Sequence, residues 1–155
     1  MADLRFFTKA KSYTIGELAK KLDLELPDGA DASLILDDVA ALKDAKGNHL
    51  SFLDNIKYKN DFQRTKAGAC LVSRQMAVLA PEELICLVSS NPYKSYALAA
   101  QAFYPEQKPK DDVSPLAAVE DTAKIGKGAS IAPHVTIGPN VEIGDNAWIE
   151  SGAVI

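Results

Sequence analysis

A branched aliphatic side chain recurs every six positions along the C-terminal part of the chain, at Val119, Ile125, Ile131, Ile137, Ile143, Ile149 and Ile155. With 19 Val and Ile among 155 residues, so long a run of hits would arise by chance less than about once in a million. The positions between them are patterned too. The fourth residue after each aliphatic is small or β-branched: Ala123, Ala129, Val135, Val141, Ala147 and Ala153. The third is Thr122, Gly128, His134, Asn140, Asn146 and Gly152, a set rich in residues that accept positive φ. This predicts short strands with an inward aliphatic knob, each followed by a turn through a left-handed backbone position.

A six-residue period of this kind is the mark of a hexapeptide β-helix. Three sides close an 18-residue triangular coil, and coils stack at the ~4.8 Å spacing of hydrogen-bonded strands. Residues 119–154 make six hexapeptides, about two coils. Stacked repeats usually need about three or more units and a cap, so a chain stopping while the period still runs reads as a fragment. An open end at Ile155 would leave strand groups unpaired.

Earlier in the chain the pattern is mixed. Thr14-Ile15-Gly16-Glu17 forms a capping box, and Ile15, Leu18, Ala19 and Leu22 then share one helical face. Strands are predicted around Leu34–Leu36, His49–Leu53, Ala69–Val72 and Leu84–Val88, with a short helix between Tyr58 and Thr65. Asn91-Pro92 starts a longer helix that stops near Pro105. The expected organisation is an α/β domain over 1–105, a linker over 106–116, and the start of a β-helix over 117–155.

Composition narrows the function classes. The net charge of −4 advertises neither nucleic acid nor a membrane surface. Met1-Ala2-Asp3-Leu4-Arg5 lacks the basic start of a secretory signal, and no apolar run approaches the ~20 residues of a membrane span. Cys70 and Cys86 lie in apolar strand-like runs and read as reduced core residues of a cytoplasmic protein. Two His and no Cys-x-x-Cys argue against a metal site. Phosphate loops, dinucleotide fingerprints and nucleophile elbows are absent. Asp37-Asp38 and Asp111-Asp112 read as solvated surface pairs. His49 is expected to be exposed beside the Gly47-Asn48 turn, and His134 occupies a turn slot of its hexapeptide.

The segment Leu50-Ser51-Phe52-Leu53-Asp54-Asn55-Ile56-Lys57-Tyr58 leads through a short helix to Thr65-Lys66-Ala67-Gly68-Ala69-Cys70-Leu71-Val72. Then come the Asn91-Pro92-Tyr93 helix, its end at Ala102-Phe103-Tyr104-Pro105, and the hexapeptides. In order and spacing, nearly the whole chain resembles the N-terminal part of the UDP-3-O-acylglucosamine N-acyltransferases of lipid A biosynthesis. That resemblance implies a left-handed parallel β-helix, a handedness that spacing alone does not give. It implies a cytoplasmic homotrimer that moves a 3-hydroxyacyl chain from acyl carrier protein to the 2-amine of a UDP-sugar, without a cofactor.

For the site, the resemblance implies a uracil held between Phe52 and Tyr58, with Asn55 beside the nucleotide. Stacking of this kind is worth ~1–3 kcal/mol per base. Taken alone, an aromatic pair six residues apart is more often ordinary packing. Lys57 is a possible phosphate contact, although an exposed turn lysine is usually solvated. The amine must lose a proton as it attacks the thioester, and the family's base is a His in later coils. No catalytic residue is therefore expected among these 155 residues, and the chain alone is expected to be inactive. Two readings without catalysis stand beside this one: a nucleotide-sugar-binding module, and a trimeric structural element.

Overall fold

The capping box closes as its residue types require: the Thr14 hydroxyl accepts from the Glu17 N–H at 3.2 Å and Glu17 accepts from the Thr14 N–H at 2.9 Å. A computed structural model describes residues 6–106 and 110–155 of the chain, which form two units with those bounds. Met1–Arg5 and residues 107–109 of the expected linker lie outside the described residues.

In the first unit, β1 (Tyr13–Thr14) leads into α1 (Ile15–Lys21) and pairs antiparallel with β2 (Ile35–Leu36). Then follow β3 (Asp38–Val39), β4 (His49–Leu53), α2 (Lys59–Arg64), β5 (Ala69–Val72), α3 (Arg74–Ala77), β6 (Ile85–Val88) and α4 (Pro92–Phe103). Strands β3-β4-β5-β6 form one sheet in that order, all parallel. Both faces are covered, so β5 is buried throughout, and its residues alternate between two cores. Ala69 and Leu71 join Leu50, Leu87, Ile15, Leu18, Ala99 and Phe103 beneath α1 and α4. Cys70 and Val72 join Leu42, Leu53 and Phe62 on the other face, with Met76 and Ala77 of α3.

Two of the surface expectations are corrected here. His49 is buried: it is the first residue of β4, pairs with Asp38 across the ladder, and its Nδ1 accepts from the Lys46 N–H at 3.2 Å. Asp37 stays near the surface, bound to Ser12 and Asn48, but Asp38 is buried and its carboxylate accepts from the Val39 N–H at 2.7 Å. Ordinary turn and charge rules miss both because sheet pairing takes them inside.

The second unit has β7 (Ala118–Val119), β8 (Lys124–Ile125), β9 (Ser130–Ile131), β10 (Thr136–Ile137), β11 (Glu142–Ile143) and β12 (Trp148–Ile149). The parallel pairs are β7–β10, β8–β11 and β9–β12, with Val119↔Ile137, Ile125↔Ile143 and Ile131↔Ile149 in register. Every offset is 18 residues, so three short strands make each coil of a parallel β-helix. Ile131 and Ile137 have in-register neighbours before and after them and are 1% and 0% exposed; the other inward aliphatics up to Ile149 are half-buried.

The turn slots behave as their residues dictate. Gly128, His134, Asn140, Asn146 and Gly152 all have φ between 56° and 83°. Thr122 is not among the positive-φ residues, since a β-branched side chain is strained there; its hydroxyl instead accepts from the Asn140 N–H one coil later, at 3.0 Å. The ladder also reaches into the stretch read as linker. Val113 bridges Ile131, and the Ile131 N–H donates to the Asp112 carbonyl at 2.9 Å. Val113 is in phase with the six-residue series, but its polar, proline-rich neighbours hide it.

Candidate functional site

In a parallel sheet, loops at the carboxyl ends of neighbouring strands converge, which is where ligands of α/β sheets usually sit. Here a cavity of about 560 Å³ opens at that edge, within the ~300–1,000 Å³ common for small-molecule sites. Ala41, Leu42 and Lys43 reach it from the loop after β3. Phe52, Leu53, Asp54 and Asn55 come from the end of β4, Tyr58 and Asp61 from the turn and helix beyond, and Tyr93 from the start of α4.

Each ring is placed by a local device. Phe52 alternates with Leu53 along β4, so it lies on the α4 side of the sheet. The Tyr96 ring packs on it with centroids 4.4 Å apart and a 33° tilt, and Tyr93 meets it edge-on at 5.8 Å. Tyr93 is the second residue of α4, and that end is fixed. The Asn91 side chain accepts from the Lys94 N–H at 2.9 Å, and the Ser89 and Ser95 hydroxyls bond each other at 2.8 Å beneath it. Tyr58 closes the 3-10 turn Ile56–Tyr58 and is 57% exposed, so its ring meets solvent.

Asn55 starts that turn. Its side-chain oxygen accepts from the Lys57 N–H at 3.0 Å, which leaves the amide N–H groups as its free donors. The cavity therefore brings Phe52, Asn55 and Tyr58 together. Lys57 is exposed and lies outside the lining. Lys43, Asp54, Asp61 and Tyr93 join the site without having been singled out in the sequence. A charged residue in a loop after a strand carries no pattern of its own; only the sheet order makes it a neighbour of Phe52.

Asp38, buried in β3, acts on two half-buried tyrosines. The Tyr104 hydroxyl hydrogen-bonds the Asp38 carboxylate; burial, that bond and the Asp38 charge push its ionisation up to about 12. Burial and the same charge raise Tyr96 as well. Both phenols therefore ionise above the ordinary tyrosine value of about 10.

A family profile described as UDP-3-O-(3-hydroxymyristoyl) glucosamine N-acyltransferase matches residues 33–102, which contain every residue of the cavity lining. A UDP-3-O-acylglucosamine N-acyltransferase of Parvibaculum lavamentivorans is 44% identical over 107 residues, covering 69% of this chain and 30% of the relative. The chain belongs to the UDP-3-O-acylglucosamine N-acyltransferase family. A second family member, UDP-3-O-acylglucosamine N-acyltransferase 2 of Legionella pneumophila (strain Paris), is 35% identical over 81% of this chain and 37% of the relative. One from Granulibacter bethesdensis is 36% identical over 81% and 36% respectively. The chain thus spans about a third of the length of the curated relatives it matches. The profile of the bacterial transferase hexapeptide, six repeats, matches residues 122–155, the coils of the β-helix. No helix among the described residues of this acyltransferase-family chain is long and apolar enough to cross a membrane.

Proposed function

We propose that this chain carries the nucleotide-recognition part of an N-acyltransferase acting on a UDP-3-O-acylglucosamine, built as an α/β uridine-binding unit followed by a left-handed parallel β-helix. The observation that carries the reading is a single cavity, inside the family-matched stretch, lined together by Phe52, Asn55 and Tyr58. Uracil offers two flat faces and a rim of carbonyl oxygens. Two aromatic rings suit the faces, and the free N–H groups of Asn55 suit the oxygens.

In the proposed transfer, the sugar 2-amine attacks the thioester carbonyl of a 3-hydroxyacyl-acyl carrier protein. The C–N bond forms, the C–S bond breaks, the carrier thiol departs, and a base takes the amine proton. His49 and His134 both lie outside the cavity lining; one is buried beside β3 and the other holds a left-handed turn. The base is assigned to neither, and the first unit is given binding rather than chemistry. The acyl donor needs no cofactor. The whole protein would be a cytoplasmic homotrimer, with acyl carrier protein as its partner and no nucleic acid or integral membrane segment.

Titration calorimetry of this chain with UDP and UDP-N-acetylglucosamine, with Phe52→Ala as control, tests the reading. Saturable binding lost on that substitution is the expected result. A folded sample that binds neither ligand would overturn it for these residues.

A further inference from the structure

Three charged side chains line the cavity: Lys43, Asp54 and Asp61. None of them forms an ion pair or a side-chain hydrogen bond among the described residues. A nucleoside diphosphate entering such a site meets two carboxylates that repel it and one ammonium group that attracts it. We infer that Lys43 is the group that takes the phosphate oxygens of the nucleotide in this cavity, and that Lys57 is not.

The loop that carries Lys43 is held in place. Leu42, the preceding residue, is buried in the core under α2, and its carbonyl accepts from the Thr65 hydroxyl at 2.7 Å. The Asp44 N–H donates to the Ala41 carbonyl at 2.9 Å, closing a turn with Lys43 inside it. Before the turn, the Ala40 N–H donates to the Leu50 carbonyl at 2.9 Å, which ties the loop to β4 and so to Phe52. The Lys43 backbone is therefore positioned, while its four-carbon stem leaves the ammonium free to follow a phosphate. Since the ammonium is unpaired, no existing ion pair must break when the ligand arrives.

Lys57 differs on each count. Its N–H is committed to Asn55, and its side chain is exposed outside the lining. On this reading the diphosphate is drawn to Lys43 and repelled by Asp54 and Asp61, the other charged groups of the lining.

This inference rests on the uridine reading, and one set of titrations separates the two. Uridine and UDP are titrated into the unmodified chain and into Lys43→Met, Lys57→Met and Phe52→Ala, each first shown to unfold at its usual midpoint. Lys43→Met keeps the stem and removes the charge. It should weaken UDP by about tenfold or more, the scale of a hydrogen bond to a charged group, while leaving uridine unchanged. Lys57→Met should leave both unchanged. UDP binding that Phe52→Ala abolishes but Lys43→Met does not alter would overturn the role of Lys43 alone, as would an equal loss in Lys57→Met. UDP binding indifferent to Phe52→Ala would overturn the uridine reading and this inference with it.

Discussion

The ring of Tyr96 backs the ring of Phe52, with centroids 4.4 Å apart, so one face of Phe52 is already occupied by protein. A ligand ring can use only the other face or the edge. Tyr96→Ala should therefore cost more than its own packing, because Phe52 loses the support that orients it. We expect a stability loss of about 2–4 kcal/mol by chemical denaturation and a matching drop in UDP affinity. Tyr96→Phe keeps the ring and should behave like the parent in both assays. A Tyr96→Ala chain that binds UDP normally would falsify this positioning role.

Tyr58 contributes little to folding, since more than half of its surface is open to solvent at 57%. Tyr58→Ala should leave the unfolding midpoint within about 0.5 kcal/mol of the parent. It should still weaken UDP by about 1–3 kcal/mol of stacking energy, read by calorimetry. Equal losses in stability and binding would mean that the ring is structural.

Two glycines close together should respond very unequally to alanine. A Cβ added at Gly68 would lie 2.0 Å from the Gly47 carbonyl oxygen, whereas one at Gly47 meets nothing within 4 Å. The Gly68 N–H also donates to the His49 carbonyl at 3.1 Å, so the backbone cannot simply move off. Gly68→Ala should destabilise by several kcal/mol, roughly 3 or more by analogy with strained overpacking, and Gly47→Ala by less than about 0.5. Thermal melts of the two variants compare them directly.

Asn140 sits at φ 60° in a coil turn, a conformation that costs an ordinary side chain about 1–2 kcal/mol. Asn140→Ala should lower stability by about 1 kcal/mol, while Asn140→Gly stays close to neutral. If alanine were tolerated as well as glycine, the left-handed turn would not be what holds this corner.

The Tyr104 phenol ionises near 12 in the folded chain, above its ordinary value of about 10. A group whose ionisation is raised on folding contributes stability that is whole below its unfolded value and is lost as pH climbs through its folded one. The chain should hold this contribution to about pH 10 and lose it progressively toward 12. Absorbance at alkaline pH should show Tyr104 ionising late, with Tyr96 also raised, and Tyr104→Phe should remove the Tyr104 share of that late signal and this part of the alkaline loss.

The β-helix was legible because its code is local and repetitive: one inward aliphatic and one turn residue per hexapeptide state the strand, the corner and the stacking partner together. Val113 escaped because polar neighbours and a proline masked an in-phase valine. The first unit announced its helices through Thr14 and Asn91, whose caps act within three residues along the chain. Its site was harder to see. Phe52, Asn55 and Tyr58 share one short segment and stood out through family likeness, while Lys43 and Tyr93 come to the cavity from separate strands' ends. Asp38 and His49 looked like surface residues because their burial depends on pairing between strands, which no single stretch of sequence reports.

The constant offset of 18 residues between stacked strands gives every position in the coils an address of layer and side. Removing one hexapeptide would leave every inward isoleucine still inward, so the interior would barely register the change. The outer surface would not survive it. Lys124 and Glu142, which pair at 2.6 Å, would fall on different sides of the triangle. Chain length in this unit therefore sets which way a surface group faces, in steps of a third of a turn, and only whole-coil insertions keep the outward pattern aligned.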